Sequence, residues 1–187
     1  MSFTQLRITG PDSAPYVLGA PMHLYERDFC VGIMDPVPVS AGGTEVHIEH
    51  FNIAADTPAH QRREIGRLVL LEVVAFLAEN FADVQAVSLA LSRDIEGYSD
   101  GMTLASARSA TLQSIGARHI MITPKPDAAH AGHFVVAGLW EYNQANLAAL
   151  MAHLQKEREA YRERDAAAAK TRAPGLFARW WAPSGRA

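Results

Sequence analysis

The chain has 187 residues, of which 49% are hydrophobic and 20% charged, a composition typical of a globular domain with a substantial core. The net charge of −3 argues against general affinity for nucleic acid, which needs a basic surface. The single cysteine, Cys30, excludes an internal disulfide and, with a polar N-terminus that does not resemble a signal peptide, predicts a cytoplasmic protein.

The first 43 residues predict a strand, a helix and a loop. Residues 3–8 alternate between apolar and polar side chains, which favours a strand. Asp12 or Ser13 can cap a helix that reaches about Phe29, although prolines and a glycine interrupt its first half. Residues 31–43 contain two prolines and several glycines and are interpreted as a loop, with at most a short edge strand.

Residues 44–91 predict a strand, a loop, a helix and a second strand. In residues 44–53, apolar and polar side chains alternate, so Glu45, His47 and Glu49 share one face. An Arg-rich loop follows, and an apolar run without a breaker predicts a helix over residues 65–80. Residues 84–91 form a nearly continuous apolar strand, as expected when both faces are covered. The start of such a helix offers unpaired N–H groups that can hold a phosphate.

The remaining residues predict a helix, two strands and a long helix. Thr103 is expected to cap a helix that ends at Gly116. Strands follow at residues 119–122 and 133–139. The last helix covers residues 143–170, and its later half is almost entirely charged or alanine, so we expect it to project into solvent or pair with another chain. The predicted organisation is a domain at 1–142, a helix at 143–170 and a tail at 171–187.

The loop before the helix at residues 65–80 resembles the acyl-CoA site of the GNAT acyltransferases. That motif is Gln/Arg-x-x-Gly-x-Gly/Ala, following a proline and leading into a helix. Pro58 matches the proline, Gln61 the first position and Gly66 the last glycine. Glu64 departs from the motif because it replaces the first glycine and places a carboxylate where the family binds pyrophosphate.

The resemblance implies an α/β (α+β) fold, with a GNAT-like mixed sheet flanked by helices and an appended C-terminal helix. The strand pair that the family has near residues 31–43 is expected to be shortened or missing. The implied function is acyl-CoA-dependent N-acyl transfer, with acetyl-CoA or another acyl-CoA as co-substrate and a small-molecule or peptide amine as acceptor. The implied cofactor-binding residues are Asn52, Ile53, Ala54, Gln61, Arg62, Arg63, Glu64, Ile65, Gly66 and Arg67. A solvated first helical turn is the alternative interpretation of the arginines.

The resemblance also implies that a base on the strand before the loop deprotonates the amine, and His50 and Glu49 are the candidates. A partly exposed strand end is the alternative interpretation of both residues. The family often has a tyrosine as general acid four positions before the glycine that ends the next helix, but that position is Leu112 here.

Three further interpretations complete the prediction. The eight histidines show no ligand spacing that predicts a metal site. Glu64, Leu112 and the aromatic tail favour an alternative function, a GNAT-like protein without catalysis that acts as a binding or assembly module.

The tail holds Trp180 and Trp181 among basic residues, which predicts docking on this chain or on a second copy in a homodimer. Membrane anchoring is less favoured because the aromatic segment is short.

Overall fold

The computed structural model describes residues 6–35, 37–40, 42–49, 51–53, 65–92, 100–125 and 133–172. In chain order, the strands are β1 (Arg7–Thr9), β2 (Met22–Glu26), β3 (Phe29–Met34), β4 (Glu45–Ile48), β5 (Asn52–Ile53), β6 (Ala86–Leu91), β7 (Arg118–Pro124) and β8 (Phe134–Glu141). The helices are α1 (Ile65–Asn80), α2 (Gly101–Ser114) and α3 (Gln144–Arg172), and a 3-10 turn covers Pro11–Ser13. The α/β class and the C-terminal helix are thereby confirmed.

The strands form two four-stranded sheets. The first sheet has the order β1-β2-β3-β5 and is antiparallel throughout. The second sheet has the order β4-β6-β8-β7 and is mixed, because β4 and β6 are parallel while β8 runs antiparallel to both of its neighbours. The helix α1 connects the parallel strands β4 and β6, as a crossover connection requires.

The helices α1 and α2 lie on one side of the second sheet. Right-handed crossovers from β4 to β6 and from β6 to β7 step in the same direction and therefore place α1 and α2 on the same side. On α2, Leu112 is fully buried and approaches Gly138 of β8. The indole Nε1 of Trp140 donates a 2.8 Å hydrogen bond to the carbonyl oxygen of Ile115. The face of the sheet that carries Gly138 and Trp140 is therefore the face that packs into the core.

The helix α1 is buried on most of its circumference, as its uninterrupted apolar sequence predicts. Ten of its sixteen residues are buried, among them the charged residue Glu72. Arg158 of α3 donates to both carboxylate oxygens of Glu72 at 2.7 Å, so the buried charge has a bidentate partner.

The prediction that the later half of the last helix projects into solvent is wrong for its first turns. Tyr161 is only 3% exposed, and its hydroxyl donates to a carboxylate oxygen of Glu26 on β2 at 2.8 Å. Glu157 also contacts α1. Glu157 and Arg158, two of the charged side chains that suggested a solvated helix, are instead partners for charges on α1.

The predicted helix over residues 13–29 is also wrong, because this part of the chain contains the hairpin β2–β3. Met22 and Leu24 are fully buried and alternate with less buried neighbours, which is the pattern of a strand. The turn places Arg27 at φ 56°, which no helix accommodates. A strand pair is therefore present before β4, and the expectation that it would be shortened or missing is wrong as well.

The cap of α2 differs from the prediction by three residues. Asp100, rather than Thr103, is the N-cap, and its carboxylate accepts hydrogen bonds from the backbone N–H groups of Met102 and Thr103. These bonds, together with one from the Thr103 hydroxyl, lower the pKa of Asp100.

The predicted tail at residues 171–187 lies outside the described residues from residue 173 onward.

Candidate functional site

The strand predicted over residues 44–53 is divided between the two sheets. Its first part, β4, pairs with β6 as far as Ile48 opposite Leu89. Its last part, β5, pairs instead with β3 of the first sheet, with Ile53 opposite Gly32. The chain therefore leaves one sheet and joins the other within residues 49–51.

This transfer opens a fork between the sheets, with β6 on one side and residues 49–53 on the other. Beyond Leu89, β6 continues to Leu91 and remains paired with β8. No strand among the described residues pairs with β6 on its other side after Leu89. Unpaired N–H and C=O groups at such an edge can bind an extended chain as an additional strand.

The predicted catalytic residues fall on the segment that crosses between the sheets. Glu49 directly follows β4 and is exposed, so its carboxylate is accessible from solvent at the mouth of the fork. His50 lies outside the described residues. The roles of Glu49 and His50 remain predictions.

The predicted backbone contacts to the co-substrate fall on β5 and after it. Asn52 and Ile53 form β5, so their backbones lie at the side of the fork that belongs to the first sheet. Ala54 lies outside the described residues. The structure therefore brings Asn52 and Ile53 next to the fork, which is where an extended ligand chain would run.

The predicted phosphate-binding residues are described from Ile65 onward. Ile65 is fully buried and anchors the start of α1 in the core. Gly66 is exposed, and a methyl group added to it would meet no heavy atom within 4 Å. The space around Gly66 is therefore open to a ligand. Gln61, Arg62, Arg63 and Glu64 lie outside the described residues.

Arg67 contacts a second helix. Its Nη1 atom donates to Oε1 of Glu157 on α3 at 2.8 Å. The Arg67 side chain is 53% exposed, and a guanidinium has five N–H donors, so this bond leaves donors for an anion. The structure thus places a cation beside the first turn of α1, and its role in binding phosphate remains a prediction.

Leu112 occupies the position where the family often has a tyrosine, and it is fully buried against β8. The tyrosines whose pKa values are clearly raised lie elsewhere in the chain. Desolvation, followed by the charge of Glu79, raises the pKa of Tyr142 to about 12. The backbone N–H of Tyr142 bonds to Gln85, just beyond the C-terminal end of α1. Tyr142 is therefore at the opposite end of α1 from the fork.

Sequence reasoning missed a contact between β4 and β6. Nδ1 of His47 lies 3.0 Å from Oγ of Ser88, in a half-buried hydrogen bond between register partners. The alternation in β4 already places His47 on the face opposite Val46 and Ile48. Its partner could only be found once the parallel register with β6 was known.

The described residues also bear on metal binding and on membrane association. Among those residues, no group of three or more His, Cys, Asp or Glu side chains is placed to hold a metal ion. In the same part of the chain, no helix is both long enough and apolar enough to cross a membrane.

Comparison with known proteins gives matches among solved structures only. No family model matches the sequence, and no curated protein matches it. An acetyltransferase from Thermus thermophilus is 11% identical with a TM-score of 0.38, covering 66% of this chain and 64% of its own. The chain therefore spans less than two thirds of that protein.

Two further structures are similar at the same level. A Bacillus subtilis acetyltransferase in complex with CoA is 10% identical with a TM-score of 0.43, covering 67% of this chain and 78% of its own. A putative acetyltransferase of the GNAT family from Desulfovibrio desulfuricans is 17% identical with a TM-score of 0.36, covering 65% and 67%.

Proposed function

We propose that the protein is an acyl-CoA-dependent N-acyltransferase that transfers an acyl group, preferentially acetyl, to an amine. The observation that carries the proposal is the fork between β4 and β6, directly followed in the chain by the Arg-rich loop and α1. The pantetheine arm is an extended chain with amide groups, and it suits the unpaired backbone groups of the fork. The pyrophosphate suits the start of α1, where N–H groups and arginines favour an anion.

In the proposed reaction, the amine nitrogen attacks the thioester carbonyl carbon. The new C–N bond forms, the C–S bond breaks, and CoA leaves as a thiolate that takes a proton from solvent. Glu49 or His50 is the proposed base that accepts the proton of the amine, because both follow β4 at the crossing between the sheets. Asn52, Ile53 and Ala54 are proposed to bind the pantetheine arm through backbone groups. Residues 61–67 are proposed to bind the phosphates.

One observation favours a second candidate function, a binding or assembly module without catalysis. Leu112 is buried in the core, so the residue that often protonates the leaving thiolate in the family has no equivalent at this position. Transfer then depends on protonation of the thiolate by solvent. If the protein binds CoA but transfers no acyl group, the second candidate is supported.

Titration calorimetry with acetyl-CoA tests the proposal. We expect binding, and we expect Arg67→Ala to weaken it about fivefold to tenfold by removing a phosphate contact, roughly 1–1.4 kcal/mol. Arg118→Ala is the matched control, because Arg118 is also an exposed arginine paired with a glutamate, Glu141, but lies on β7. Glu64→Gly is expected to tighten binding by removing a negative charge from the loop that is proposed to bind the phosphates. Absence of heat at millimolar acetyl-CoA would contradict the proposal.

The acceptor class, cellular location and assembly belong to the same proposal. We expect a small-molecule or peptide amine as acceptor and a cytoplasmic protein. The residues after Ala173 are proposed to dock on protein, either on this chain or on a second copy. Truncation after Ala173, followed by light scattering, tests the homodimer. If the tail holds two copies together, the truncated protein should have about half the mass of the intact protein.

A further inference from the structure

His47 and Ser88 form the last pair of polar side chains across β4 and β6 before the fork. They are register partners, and only Ile48 and Leu89 pair after them. The distance from Nδ1 of His47 to Oγ of Ser88 is 3.0 Å, which is a hydrogen bond for either direction of donation. The ring of His47 is thereby held at the base of the fork.

The pair lies on the face of the second sheet opposite to α1 and α2. Val46 and Ile48, on the other face, are at most 3% exposed and belong to the core. His47 and Ser88 are only half-buried. Glu49, the first residue after β4, is exposed. The half-buried pair is therefore partly accessible on this face.

We infer that His47 is a catalytic residue that accepts the proton of the attacking amine, and that Ser88 is a positioning residue that holds its ring. The inference rests on the proposed acyl transfer. In this assignment Nδ1–H of His47 donates to Oγ of Ser88, which leaves Nε2 without a proton. Nε2 therefore takes the proton of the amine while the C–N bond forms, the C–S bond breaks and the thiolate leaves. Among the described residues, no hydrogen bond to Nε2 competes with this role.

The geometry favours His47 over Glu49 and His50 as the base because the hydrogen bond to Ser88 orients the His47 ring. A general base acts efficiently when it is held within hydrogen-bond reach of the proton that it removes. Glu49 is an exposed carboxylate two residues after His47 in the chain, so its charge favours a protonated amine approaching the fork. His47 is thus assigned the proton transfer, and Glu49 the attraction of the cation.

The test uses the full-length protein, acetyl-CoA and two amine probes, spermidine and a short lysine-containing peptide, with release of the CoA thiol as the signal. We expect His47→Ala to lower kcat at least about 100-fold while the Kd for acetyl-CoA changes less than about twofold. Added imidazole is expected to restore part of the rate of His47→Ala but of neither Glu49→Ala nor His50→Ala. His153→Ala, which changes a half-buried histidine on α3, is the matched control and keeps the original rate.

Two further variants separate chemistry from structure. His47→Gln preserves a hydrogen-bonding side chain toward Ser88 but has no basic nitrogen, so it should fold and still lose turnover. Ser88→Ala should lower kcat about tenfold with little change in KM, and nitrogen NMR should show His47 losing its single preferred tautomer.

Each outcome decides the inference. Turnover of His47→Ala within twofold of the original rate, in a protein that binds acetyl-CoA, overturns the role of His47 and leaves the acyltransferase proposal intact. An acyl group found on Ser88 by mass spectrometry overturns direct transfer in favour of a serine nucleophile. If acetyl-CoA gives neither binding heat nor turnover, both proposals fail together, and calorimetry distinguishes this case from the first.

Discussion

The two faces of the second sheet differ in burial and in chemistry. On the face toward the helices, Val46, Val87, Val136 and Trp140 are fully buried. On the opposite face, the side chains alternating with these residues are half-buried or exposed, and Met121 is 60% exposed. The same four strands therefore carry the core on one face and the accessible polar pair His47–Ser88 on the other. Stability and proposed catalysis can thus be changed separately.

The largest expected effect comes from removing the ring of Trp140. Trp140→Ala should lower the free energy of unfolding by about 3–5 kcal/mol, because it leaves a cavity and removes the bond to the carbonyl of Ile115. Met121→Ala is the matched change on the opposite face and should stay within about 0.5 kcal/mol. Urea unfolding monitored by circular dichroism measures both values. Equal losses would contradict the difference between the faces.

The next effect concerns two ion pairs between α1 and α3 that differ in burial. Arg158 and Glu72 have side-chain exposures of 11% and 5%, so Arg158→Met should cost about 3 kcal/mol by leaving an uncompensated buried carboxylate. Arg67, at 53% exposure, pairs with Glu157 near solvent, and Arg67→Ala should cost less than about 1 kcal/mol.

A double variant sharpens this comparison. Replacing both Glu72 and Arg158 with methionine should recover part of the stability lost in Arg158→Met, since no charge then remains buried. Thermal and urea unfolding of the original protein, Arg158→Met and the double variant give the values. A double variant that is less stable than Arg158→Met would show that the ion pair itself, and not the unpaired carboxylate of Glu72, determines the loss of stability.

The smallest change in the free energy of unfolding is expected at high pH. Desolvation, together with the hydrogen bond and charge of Glu26, raises the pKa of Tyr161, and that of Tyr142 is raised to about 12. In the unfolded chain both hydroxyls ionise near pH 10. Their contribution to stability is therefore complete below about pH 10 and falls as the pH rises, through about 12 for Tyr142 and further for Tyr161.

Titration of tyrosinate absorbance measures this effect directly. The chain has five tyrosines, and Tyr142→Phe should remove one group from the part of the curve near pH 12. Tyr161→Phe should remove a group that ionises later still or only on unfolding. Loss of an ordinary early-titrating group in either variant would contradict the burial of these hydroxyls.

The sequence by itself determined the helix and strand that flank the predicted loop. Residues 65–80 form α1 as predicted, because an apolar run without glycine or proline after Gly66 has only the helix as a consistent local structure. The strand β6 lies within the predicted residues 84–91, and α3 begins within one residue of its prediction. These elements depend on local propensity and on burial that the composition already shows.

Only the tertiary structure decided the hairpin β2–β3 and the division of residues 44–53 between two sheets. A strand is stabilised by partners distant in sequence, so local patterns do not reveal its register or the point at which it changes sheets. The pairing of His47 with Ser88, 41 residues away, depends on that register. The sequence therefore pointed to residues 49–67 as the candidate site, but the side chains that meet at the fork follow from strand pairing, which is nonlocal.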